Sequence, residues 1–220
     1  MNVLNIAAHP DDELLGQGGT VARHVRAGDR VTSVIVCEGS SVRYGGESSG
    51  EIEADSRKAN SVLGVSDLRF LHLPEQGLED LRLIEINKRI EAILSEVQPE
   101  VVYTHAATDI NRDHRILSEA VLVAARPYAA PSVREVWFFE TSSSTEWGGP
   151  PLLPAFQPHL FVEIAGTLDL KIQALECYRR EVRPWPHPRS PQAIRARAQY
   201  WGSLIGVEAA EPFQIVRMRR

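Results

Sequence analysis

The chain has 220 residues, 43% of them hydrophobic, with a net charge of −5 and an isoelectric point of about 5.8. That is enough apolar material for one well-buried core, and the scattered basic residues exclude the electrostatic footprint of a nucleic-acid binder. No apolar stretch approaches the roughly 20 residues that cross a bilayer, so membrane insertion is excluded as well.

The elements follow in chain order. Residues 2–7 read as a strand, and 13–27 as a helix closed by Gly28. With a core strand at the very start, no signal peptide is expected ahead of it. Arg30 to Val36 is β-rich, residues 39–50 are Gly/Ser-rich loop, and Glu51 to Leu63 is helical up to Gly64. A strand at 68–73 follows. Leu83, Ile86, Ile90, Ile93, Leu94 and Val97 recur at helical spacing, so 81–97 buries one face. Pro99 stops that helix, strand 101–105 begins, and 114–125 is helical again.

This alternation predicts an α/β, Rossmann-like, mostly parallel, doubly wound sheet. Prolines crowd the C-terminal third from Pro127 onward. There we expect strands near 133–139 and 159–164, helices near 166–180 and 191–205, and a final strand 213–216 closing an edge. No linker composition intervenes, so residues 1–220 read as a single domain with an elaborated C-terminal third. Cys37 and Cys177 are the only cysteines and lie far apart, which fits reduced thiols in the cytoplasm.

Chemistry concentrates where strands end. The first strand runs into His9-Pro10-Asp11-Asp12-Glu13, and the strand 101–105 into His105, Asp109 and Asn111-Arg112-Asp113-His114-Arg115. Segments leaving the carboxyl ends of parallel strands share one crevice, so the clusters converge. A turn with an N-cap explains Asp12 and Glu13 but not His9 or the second cluster. A catalytic zinc takes three protein ligands, keeps a fourth position for water and lowers the pKa of that water to about 7. His9, Asp12 and His114 supply two nitrogens and an oxygen, and Asp11 beside them is the candidate general base. Asp113 reads as a carboxylate that orients a neighbour. Gly16-Gln17-Gly18-Gly19 lacks dinucleotide-loop spacing and reads as a close helix-to-sheet contact.

Ala8-His9-Pro10-Asp11-Asp12-Glu13, with Asp109-x-Asn111-x-Asp113-His114-Arg115, resembles the PIG-L/LmbE family of zinc-dependent de-N-acetylases. The likeness continues through Glu140, Ser143 to Trp147, Lys171, Tyr178, Arg189-Ser190 and Ala210-Glu211-x-Phe213. It implies a Rossmann-like fold and hydrolysis of an N-acetyl group on an N-acetylglucosamine-type sugar or conjugate. By the same resemblance His9, Asp12 and His114 are the metal ligands, Asp11 is the base, and several copies assemble. Zn2+ is the expected ion, with iron, nickel or another divalent metal as alternatives.

One position departs from several relatives, which carry a histidine where this chain has Asn111. An amide donates a hydrogen bond to an oxyanion without an imidazolium's charge. Asp11 then returns its proton to the departing amine, with His105 or His187 as the alternative acid. Arg189, Trp147 and His187 are expected at the substrate, as is Arg43 or Arg57. His72 divides evenly between core filling and substrate contact. The rival activity is a metal-dependent amidase acting on a thiol conjugate or another acylated metabolite.

Overall fold

The computed structural model describes residues 1–39, 49–149 and 152–220. Its seven strands are β1 (Asn2–Ala7), β2 (Arg30–Cys37), β3 (Asp67–Leu73), β4 (Val101–His105), β5 (Glu135–Phe139), β6 (Leu160–Glu163) and β7 (Ala210–Met218). They form one sheet in the order β3-β2-β1-β4-β5-β7-β6. The first five are parallel, and β7 runs antiparallel to both of its neighbours. The C-terminal strand therefore lies inside the sheet and β6 is the edge, which corrects the expectation that the last strand closes an edge.

The helices are α1 (Asp12–Leu15), α2 (Gly18–Arg26), α3 (Ser49–Leu63), α4 (Leu83–Val97), α5 (Arg112–Ala124), α6 (Leu168–Cys177) and α7 (Pro191–Ile205). Strand alternation sends side chains to opposite faces. Val3 joins the core packed by α1, α2, α3, α6 and α7, while Leu4 and Ile6 join the core under α4 and α5. On α4 the buried Ile86, Ile90, Ile93 and Leu94 form the stripe that the sequence spacing predicts, each contributing about 1.5–3 kcal/mol by burial. Gln98 in the left-handed conformation caps that helix, and Pro99 prevents its continuation.

The single helix expected over 13–27 is two helices. A Cβ on Gly16 would stand 2.5 Å from the carbonyl oxygen of Glu140, and one on Gly19 would stand 2.8–2.9 Å from Ile164. The glycines thus let the helix lie directly on the C-terminal layer, as their spacing suggested. The N-terminus of α2 is satisfied from a distance. Glu211 of β7 accepts from Gly19 N (2.9 Å), Thr20 N (2.7 Å) and Thr20 Oγ1 (2.6 Å), and Lys171 Nζ neutralises it at 2.7 Å.

Leaving β1, the chain winds to β2 and β3, then returns to β4 on the other flank of β1. The carboxyl ends of β1 and β4 therefore border the topological switch point, where such sheets open a crevice. Ala8 N donates to His105 Nε2 at 2.9 Å and joins the two strand ends. Arg43 and the loop 39–50, apart from Gly39 and the start of α3, lie outside the described residues.

Candidate active site

The turn 8–11 between β1 and α1 points His9 toward α5, and Asp12 at the start of α1 faces the same helix. Asp11, the N-cap of α1, has φ +92°, a conformation rare for a residue with a Cβ and held here by the surrounding structure. Its N–H donates to Glu13 Oε2 at 2.9 Å. His9 Nδ1, Asp12 Oδ2 and His114 Nε2 form a triangle with sides of 3.0 to 3.2 Å. Ligand atoms on a tetrahedral cation at 2.0–2.2 Å stand about 3.4 Å apart, so the three need move only a few tenths of an ångström to hold one.

Each imidazole is aimed by a carboxylate behind it. His9 Nε2 donates to Asp113 Oδ2 (2.9 Å), which turns Nδ1 into the triangle. Asp113 is itself held by Gln76 N (2.7 Å) and Leu78 N (3.2 Å). Asp109 Oδ2 lies 3.1 Å from His114 Nδ1, an ion-pair contact whose angle falls short of a hydrogen bond. Asp109 is fixed by Ser144 Oγ (2.5 Å), Thr145 Oγ1 (2.6 Å) and Asn111 N (2.7 Å).

The charges agree with that geometry. Burial alone would strip the protons from His9 and His114, yet Asp113, Asp12 and Asp109 raise both imidazoles above their ordinary value. Burial would likewise raise Asp12, but His114 and His9 hold it well below the usual carboxylate range. The pocket therefore gathers positive charge, as a site for a divalent cation does.

Asp11 behaves oppositely. Burial pushes its carboxyl well above the usual range, Asp12, Glu181 and Glu13 push the same way, and Arg189 opposes them. Arg189 Nη1 donates to Asp11 Oδ2 and to Glu181 Oε2, both at 2.7 Å, and its Nε donates to Ser143 Oγ at 2.7 Å. Beneath the turn, Glu13 is fully buried and pushed up to about 7 by desolvation. Tyr178 OH and Asn60 Nδ2 both donate to its Oε1. The cavity over the triangle has a volume of about 80 Å³, room for an acetamido group and its neighbouring carbons. His9, Asp11, Asn111, His114, Ser143 and Arg189 are among the residues on its wall.

The sequence model of the PIG-L family, described as GlcNAc-PI de-N-acetylase, matches residues 4–125, more than half of the chain. The chain belongs to the PIG-L family.

The PIG-L match spans both clusters. The chain is 25% identical to the diacetylchitobiose deacetylase of Thermococcus kodakarensis, over 97% of this chain and 82% of that one. It is 30% identical to the 1D-myo-inositol 2-acetamido-2-deoxy-alpha-D-glucopyranoside deacetylase of Geodermatophilus obscurus, over 61% of this chain and 58% of that one. Among solved structures, the conserved protein TT1542 from Thermus thermophilus superposes with a TM-score of 0.79 at 28% identity, over 97% of this chain and 93% of that one.

Within this PIG-L site the structure brings His9, Asp11, Asp12, Asn111, His114 and Arg189 together and moves other expected residues out. His105 is fully buried behind His114, its ring stacked at 3.8 Å. Burial and the neighbouring His114 hold its pKa well below the ordinary value, so it is neutral. Nε2 accepts from Ala8 N, and Nδ1–H therefore donates to Thr141 Oγ1 at 3.0 Å. No proton remains for a leaving group, which corrects the acid role expected of it.

His187 is not on the wall of the catalytic cavity; its Nδ1 accepts from Arg189 N at 3.1 Å, and its ring meets Trp147 edge-on. Trp147 is 56% exposed and also off that wall. The Arg57 guanidinium lies 5.1 Å from the Phe70 ring centroid and pairs with Glu53, so it leaves the catalytic cavity to others. Asp113 touches the His9 imidazole and is absent from the cavity wall, contacts that fit a positioning residue better than a catalytic one. Asp109, Ser144 and Glu13 were missed as contributors. Asp109 and Glu13 lie inside the recognised motifs, but nothing in their spacing states which group each would hold.

Proposed function

We propose that residues 1–220 form one catalytic unit that hydrolyses the N-acetyl group of an amino sugar or amino-sugar conjugate, releasing acetate and a free amine. The observation that carries this reading is the triangle of His9, Asp12 and His114 with the Asp11 carboxyl next to it in one small cavity. His9, Asp12 and His114 would hold a divalent ion, zinc by the chemistry of two imidazoles and a carboxylate. When bound, such an ion polarises the acetyl carbonyl and makes water acidic enough to attack near neutral pH.

The rest falls to this chain's own side chains. Asp11 takes the proton of the attacking water and returns it to the nitrogen as the C–N bond breaks. With His105 neutral and enclosed and His187 off the wall, Asp11 is the group in place for both transfers. Arg189 holds its orientation and opposes the upward push that burial and the surrounding carboxylates exert on its pKa. Asn111 Oδ1 is occupied by Asp113 N at 3.0 Å, which assigns the amide orientation and turns the NH2 group away from that bond. It offers a neutral donor to the carbonyl oxygen. The free thiols of Cys37 and Cys177 support a cytoplasmic setting, and assembly into a homo-oligomer is part of the same reading.

The test is acetate release from N-acetylglucosamine conjugates, against acylated thiol conjugates, with defined divalent metals. Asp11→Asn should lower turnover by about 10²–10⁴-fold while the protein retains its metal. Near-normal rates in that variant refute the role of Asp11, and acetate release confined to thiol conjugates refutes the substrate class.

A further inference from the structure

The catalytic triangle uses one nitrogen of His9, and the other faces Asp113. A third donor stands nearby. Cys37 Sγ, a His9 ring nitrogen and an Asp113 carboxylate oxygen lie within 4.8 Å of one another. Cys37 reaches this place because strict alternation fails at the end of β2. The register against β3 shifts between Ile35 and Cys37, and the successive residues Val36 and Cys37 both join the core under α4 and α5. The Cys37 N–H donates to the Ala8 carbonyl oxygen at 2.8 Å, which pins the residue beside the turn that carries His9. Cys37 also lines a cavity of about 280 Å³ next to the catalytic one, with Glu38 on the same wall. That cavity gives a cation a route to the thiol that does not cross the triangle.

A thiolate with an imidazole and a carboxylate suits a soft or borderline cation, a preference that the nitrogen and oxygen donors of the triangle do not share. Donor atoms on a tetrahedral cation with bonds of 2.0–2.3 Å stand about 3.4–3.7 Å apart, so closing on an ion takes about 1 Å shared among three side chains. We infer that His9, Cys37 and Asp113 form a second metal site, selective for a thiophilic cation, which suppresses turnover when filled. His9 serves this site through Nε2, so one ring bridges two ions. On binding, the S–H and Nε2–H bonds break and bonds form from the cation to sulfur, to nitrogen and to an Asp113 oxygen. Two protons pass to solvent. Asp113 then no longer aims His9 at the triangle. The suppression rests on the deacetylase reading above; the binding does not.

The probe is Cd2+, added to Cys177→Ser protein holding one equivalent of zinc, in which Cys37 is the sole thiol. A second ion should bind with release of two protons and with thiolate-to-cadmium charge-transfer absorption in the ultraviolet, and turnover should fall about tenfold or more. Adding Cys37→Ser should abolish that absorption and raise the Cd2+ concentration that halves turnover about tenfold or more, with cadmium-free turnover within about twofold of the parent. Cadmium that only replaces zinc, or a second ion without thiolate absorption, overturns the site. Both readouts come from protein that keeps Cys37, so they decide even where Cys37→Ser unsettles the fold. Thiolate absorption with turnover unchanged, or Cys37→Ser protein inhibited at the same concentration, overturns the suppression. A thiolate-bound second ion in protein that releases no acetate from any substrate upholds the site and overturns the deacetylase reading instead.

Discussion

Asp113 tests the site without touching the reacting groups. Its Oδ2 takes His9 Nε2–H and Gln76 N–H, and its Oδ1 takes Leu78 N–H, three donors on one buried carboxylate. Asp113→Asn keeps the size but leaves one acceptor oxygen, so in either orientation the new NH2 faces at least one N–H. A buried donor left unsatisfied costs about 1–3 kcal/mol, and His9 also loses the charge that holds its Nδ1 toward Asp12. Carboxylates behind metal-binding histidines carry about 10–100-fold in affinity, or about 1.4–2.8 kcal/mol, which agrees with that orphaned donor. Chelator competition should therefore show metal affinity weakened 10–100-fold, with most of the turnover restored at saturating metal. A metal Kd within threefold of the parent would refute the claim that Asp113 aims His9.

Metal affinity should also rise with pH. The carboxylates raise the pKa of His9 and His114 in the metal-free protein, so protons compete with the ion up to a higher pH than for free imidazole. Between about pH 6 and 8 the affinity should climb by up to about two decades per pH unit, and a flat profile by chelator competition refutes this. Arg189→Ala removes the cation that opposes the raised Asp11 pKa, so the acidic limb of the kcat/KM profile should move to higher pH, with activity at pH 7 reduced about tenfold or more. An unmoved limb sinks the assignment. Lys171→Met should cost about 3 kcal/mol of stability in urea, because Glu211 is left buried and charged over α2, and a loss below about 1 kcal/mol would show that its other donors suffice.

What the sequence could determine was local or periodic. The apolar runs of β1 and β4 located the parallel sheet, and the stripe on α4 located its buried face. His-Pro-Asp-Asp at one strand end and Asp113-His114 after another marked the chemistry, because residue type and spacing alone limit what can ligate an ion. Gly16 and Gly19 announced a close approach without naming its partner. Tertiary structure alone decided which side chains share a cavity. Arg189 is 178 residues from Asp11 and reaches it only because the segment after α6 folds back over the crevice. His105 has the right type and position for catalysis, yet a Thr141 hydroxyl and the Ala8 amide consume both of its nitrogens. Glu211 caps a helix that begins 193 residues earlier. The strand order, with β7 inserted beside β5, has no local signal either. Hydrogen-bond partners and strand neighbours are set by what the finished packing leaves available, and that is a property of the whole chain, not of any segment.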